Sequence, residues 1–206
     1  SNALASQNAG ANAYSVAVGA YAGATITTGA QNTLIGANAG DALTTGSNNV
    51  AIGYETLSAE DEHSGNTAVG YKALRVQNAG SDAYSVAVGF KSGESITTGV
   101  QNTLMGAFAG DALTTGAYNV ALGYGSLSTE DTGSRNIAIG FQALVNQNID
   151  GDIYNIAIGH NAGASVTTGI QNTIIGGLAG DALTTGSANV ALGYAALSGE
   201  DEHGGN

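Results

Sequence analysis

The sequence has no cysteine, proline or tryptophan, and only four Lys and Arg against sixteen Asp and Glu. Without cysteine there is no disulfide framework, no thiolate nucleophile and no cysteine-based zinc site. Without proline, every interior strand can donate ladder hydrogen bonds on both edges. A net charge of −12, with charged residues at 10%, disfavours a phosphate backbone as partner. No apolar run approaches the roughly 18 residues of a spanning helix, so no membrane insertion by this segment is expected. What the chain does have is glycine, 33 of its 206 residues, with hydrophobic residues at 43%, too apolar for a disordered chain. Ser1-Asn2-Ala3 reads as a tag remnant, and 4–206 as a single repeat domain cut from a longer protein whose targeting segments lie elsewhere.

Self-similarity organises everything else. Asn or Ser, three mostly apolar residues and Gly recur eleven times, from Ser15-Val-Ala-Val-Gly19 through Asn32-Thr-Leu-Ile-Gly36 to Asn189-Val-Ala-Leu-Gly193. The closing glycines are spaced 17, 17, 17 and 19 residues apart, and that set repeats as a 70-residue super-repeat. Val16 and Val18 flank Ala17 with strand periodicity, and Thr25-Ile-Thr27 offers a second short alternation. Two strands and two turns per unit predict an all-β parallel solenoid of about eleven coils of 17–19 residues, each burying its apolar face on its neighbours. The Asn before each triplet is expected to stack into an amide ladder.

With Val16 and Val18 taken as interior, the middle residue of each triplet faces the other way. It is Ala in eight units, including Ala51, Ala121 and Ala191, and a large aliphatic in three: Leu34, Leu104 and Ile174. Apolar residues on both faces predict a partner. These six residues are therefore the expected contacts of a homotrimer packed around a common axis.

The units Tyr14-Ser-Val-Ala-Val-Gly19, Asn49-Val-Ala-Ile-Gly53 and Asn155-Ile-Ala-Ile-Gly159 resemble the YadA-like head repeat of trimeric autotransporter adhesins. Asn66-Thr-Ala-Val-Gly-Tyr-Lys-Ala-Leu74 and the Leu-Thr-Thr-Gly at 43–46 are also similar to repeats of phage tail fibres and large bacterial surface proteins. The resemblance spans essentially the whole chain. It implies a left-handed β-roll assembled as a homotrimer, in the head or shaft of an extracellular adhesin on a bacterial surface, or alternatively in a virion tail. Coils of 17 and 19 residues are longer than the family's usual unit. The extra residues are expected around 55–64 and 75–84, as outer loops. The implied partner is a receptor, matrix or glycan, and no ligand site carries over.

Chemistry is sparse. Glu60-Asp-Glu-His63 and Glu200-Asp-Glu-His203 have the residue types of a divalent-cation site. The middle copy, Glu130-Asp-Thr-Gly133, lacks two of those groups, and copies lie about 19 Å apart, so a solvated loop is expected instead. No Ser-His-Asp arrangement and no phosphate-binding loop is present, so no catalytic residue, metal or cofactor is expected, and the chain reads as a non-enzyme. The candidate outer contacts are Glu60, Asp61, His63, Tyr84, Tyr154 and His203. Remote alternatives are a glycan-cleaving tailspike, which needs paired carboxylates in a groove, and an ice-binding array of the Thr pairs at 27–28, 44–45, 97–98, 114–115, 167–168 and 184–185.

Overall fold

The computed structural model describes residues 2–8, 13–199 and 205. Among these, eleven three-residue strands run from β1 (Val16–Val18) to β11 (Val190–Leu192). They form one sheet in sequence order, β1-β2-β3 onward. Every pairing is parallel and in register with the repeat: Ala17 lies beside Leu34, Leu34 beside Ala51, and Ala51 beside Ala68. Consecutive strands are joined by one coil, so the chain is a parallel β-solenoid of about ten turns.

There is one strand per coil rather than two. In the second segment Ile26 N–H turns back to the Gly23 carbonyl at 3.2 Å, and Leu43 N–H to Gly40 at 3.2 Å. Those donors are spent inside their own coil. Only alternate groups, such as Thr27 N–H to the Thr44 carbonyl at 2.9 Å, cross to the next, so no second ladder propagates.

The structure reverses the expected facing of the triplet. Ala51, Ala121 and Ala191 are buried inside their own coil, as are Leu34, Leu104 and Ile174. The flanking residues point outward: Val16, Val18, Ile35 and Met105 are exposed. The reason is cross-section. A 17-residue coil leaves a narrow interior, and strand centre, turn and opposite wall compete for it. Leu34 fits because residues four past the strand glycines are Gly23 and Gly40. A Cβ on Gly23 would sit 2.7 Å from Leu34 Cδ1, and one on Gly40 would sit 2.9 Å from Cδ2. In the next two coils that turn position holds buried Leu57 and Leu74, and the strand centres shrink to Ala51 and Ala68. The aliphatic at every fourth coil is therefore volume compensation within one chain.

The asparagines form a ladder, though chiefly by bracing the backbone. Asn49 N–H donates to Asn32 Oδ1 at 2.9 Å, Asn119 N–H to Asn102 Oδ1 at 2.9 Å, and Asn136 N–H to Asn119 Oδ1 at 2.9 Å. The amide nitrogen of Asn119 spans the coil to the Gly133 carbonyl at 2.9 Å. Asn119→Ala strands both of those buried backbone groups and is expected to cost about 2–4 kcal/mol. Asn119→Ser is expected to cost less, because Ser85 fills the same column and accepts from Asn102 N–H at 3.4 Å. Equal urea midpoints for the two variants would contradict this account.

Coils stay at 17 residues through 55–64, without the expected insertion. The two extra residues of each longer coil sit in exposed bulges at 78–82 and 148–152.

Candidate interaction face and interior polar cluster

The outward face of the sheet carries two residues per strand, and all but Thr33, Thr67, Thr103 and Thr173 are apolar. Ten strand intervals give a face about 48 Å long. Met105 is 47% exposed and Ile35 38%, values high for an apolar sheet side chain. A solvated face would alternate to polar residues; this one does not.

Aromatic columns border the face. One residue past the strand glycines, Tyr54, Tyr71, Phe90, Tyr124, Phe141 and His160 form a file that Phe108, two past Gly106, completes edge-on between Phe90 and Tyr124, with ring centroids 5.1–5.8 Å apart. On the other side Arg135 lies between Tyr118 at 4.8 Å and Tyr154 at 5.8 Å, with its guanidinium 2.9 Å from Asp152. The tyrosines and phenylalanines recurring just after the strand glycine were a readable sign of the first column; their stacking follows once one coil repeats over another. A shallow depression of about 290 Å³ opens beside the file, between Phe108, Asp111, Tyr124 and Gln142. Gly125 leaves this room where the first super-repeat places Glu55, paired with Lys72 at 3.5 Å.

The expected outer contacts divide. Tyr84 and Tyr154 are exposed, and Tyr84 donates to Asp82 at 3.1 Å, a bond that raises its phenol above the usual range. Asp61 and His63 are half-buried. His203 lies outside the described residues. Glu60 is not an outer contact: its side chain is wholly buried, as is that of Glu130, which corrects the solvated-loop reading. Seven residues past the strand glycine, the inward position carries Ile26, Leu43, Glu60 and Gln77 in turn, then Ile96, Leu113, Glu130 and Gln147. The carboxylates occupy core positions.

The two copies are satisfied differently. Glu130 accepts from Gly133 N–H at 2.7 Å and from Gln147 Nε2 at 2.9 Å. Gln147 can serve it because Asn155 binds the Gly169 carbonyl at 2.7 Å and donates to Gln147 Oε1 at 2.8 Å. In the first copy Ser85 stands where Asn155 does and is too short to reach across. Gln77 Nε2 takes the Gly99 carbonyl instead, at 2.9 Å. Glu60 Oε1 then bonds His63 Nδ1 at 2.7 Å and His63 N–H at 3.1 Å, while Glu60 Oε2 and Gln77 Oε1 are buried without a partner. Burial raises both Glu60 and Glu130 above the usual carboxylate range.

Thr27 and Thr44 direct their hydroxyls to the carbonyls of Thr44 and Asp61, at 3.2 and 2.9 Å. The chain matches no protein-family model, no curated protein and no solved structure. What fold and surface define is a class: a β-solenoid repeat protein whose outward sheet face is mostly apolar.

Proposed function

We propose that this chain is a segment of a rigid, non-enzymatic surface fibre, the head or shaft of a homotrimeric adhesin built as a left-handed β-roll. The observation that carries this reading is the outward apolar face of the sheet, about 48 Å long and unbroken by charge. Three copies packed through it would bury their Val, Ile, Leu and Met side chains around one axis. The exposed bulges at 78–82 and 148–152 would then recur in three copies along the rod. Weak contacts to a receptor, matrix or glycan would add through avidity. Extracellular placement on a cell surface belongs to the same proposal.

Light scattering on a size-exclusion column tests the assembly. A species three times 20.1 kDa, persisting on dilution, is expected. Placing aspartate at both Ile137 and Ile139, on the outward face of β8 (Ile137–Ile139), should reduce it to a folded 20.1 kDa chain. A wild-type monomer overturns the fibre reading, and a dimer overturns the threefold axis.

A further inference from the structure

We infer that the first super-repeat holds one divalent zinc-type ion, ligated by Glu60, Asp61 and His63 and backed by the Gln77 amide oxygen. One ligand atom from each of the first three lies within 4.8 Å of the others. Ligands of a single tetrahedral zinc stand about 3.4 Å apart, so a small closure of the turn at 60–63 suffices. Proximity alone is common among acidic residues. The interior supplies a second and independent observation: Gln77 is fully buried and its Oε1 has no partner, as is true of Glu60 Oε2.

The chain carries its own control. At the same inward positions of the second super-repeat, Gln147 Nε2 reaches Glu130 Oε2 at 2.9 Å, so these side chains lie against each other. There, donors satisfy the carboxylate and no imidazole is present, since Gly133 occupies the place of His63. In the first copy Gln77 has turned its amide nitrogen to Gly99 and presents an acceptor oxygen. Two carboxylates and an imidazole then lie together, and Glu60 Oε2 and Gln77 Oε1 are buried acceptors without a partner. Acceptors gathered in a desolvated place call for a cation. The imidazole and the small ligand number favour zinc over calcium or magnesium, which take six or more oxygens.

Calorimetric titration of the EDTA-treated chain with zinc chloride tests this. It is run at physiological salt and excess magnesium, in a His203→Gly background that removes the other Glu-Asp-Glu-His copy. One saturable site per chain is expected, with no comparable response to calcium. Glu62→Thr with His63→Gly rewrites the turn as the second super-repeat's own Glu-Asp-Thr-Gly, a sequence already folded in this chain, and should weaken zinc at least tenfold. Ser85→Asn should weaken it too, because the longer amide side chain can take the Gly99 carbonyl and return the Gln77 amide to Glu60. No saturable zinc site, or unchanged affinity in the turn variant, overturns the inference and leaves bound water to satisfy these oxygens. Unchanged affinity in Ser85→Asn removes Gln77 from the ligand set. The site lies within one chain, so its failure and the failure of trimer assembly are read separately.

Discussion

Gly106→Ala is expected to destabilise the solenoid by more than about 4 kcal/mol, the range reached only when a substitution cannot be accommodated. Gly106 closes the triplet of β6 (Thr103–Met105) with φ +135, a conformation that side-chain-bearing residues rarely adopt. An added Cβ would also lie 2.5 Å from the Gly123 carbonyl oxygen and 2.7 Å from its carbon. Neither backbone can retreat. Gly106 N–H is held by the Val88 carbonyl at 2.8 Å and Gly123 N–H by Met105 at 2.8 Å. Pushing the coils apart would break that ladder on both sides. Because each coil is stabilised only by its neighbours, a break in the middle divides the rod into two shorter arrays. Gly80→Ala is the matched control. Its φ is +71, but nothing lies within 4 Å of the added carbon, so only the conformational cost of about 1 kcal/mol remains. Urea unfolding of both variants measures the difference. A gap under about 1 kcal/mol would mean that the coils are not held at the spacing described.

That glycine column was legible in the sequence, and so was the period that generates the sheet. What a period of two does not state is which of its two faces lies inside. Assigning the bulkier pair, Val16 and Val18, to the interior follows the usual preference for large apolar burial. It fails because a 17-residue coil has no room for two branched side chains on each strand. Glu60 shows the complementary error. Its charge argued for solvent, yet its place in the period, seventeen residues after Leu43, argued for the core, and the period was right. Position within the repeat outranks residue type here, because neighbouring coils fix the direction of every side chain.

Backbone conformation follows the same rule. Glycine, Asn and Asp were the natural residues for left-handed turns. The structure also places Lys72, Phe108 and Tyr154 there, with φ of 58°, 58° and 59°, and Leu57 and Leu127 with φ of 51° and 53°. Local preference opposes these at about 1–2 kcal/mol each. The coil imposes them because its inter-coil bonds need that turn: Lys72 N–H meets the Tyr54 carbonyl at 2.9 Å, and Phe108 N–H meets Phe90 at 2.9 Å. No single unit carries that information. It emerges only when identical turns stack.

Leu104→Ala separates the interior from the assembly surface. Leu104 is fully buried, and glycines stand on both sides of it: a Cβ on Gly93 would lie 2.8 Å from Leu104 Cδ1, and one on Gly110 would lie 3.0 Å from Cδ2. Those glycines have no side chains to relax into the space that Leu104 vacates. The cavity therefore stays open, and a loss of about 3–5 kcal/mol is expected, the upper range for Leu→Ala in a core. Had Leu104 faced a threefold axis, its removal would weaken association and make unfolding steeply dependent on protein concentration. With Leu104 inside its own coil, the loss should be the same at high and low concentration and should persist in the dissociated aspartate variant of Ile137 and Ile139. Those outward substitutions should do the reverse, changing the mass in solution while leaving the stability of the separated chain nearly intact. A Leu104→Ala variant whose instability disappears at high protein concentration would return the strand centres to the interface and overturn the facing of the sheet.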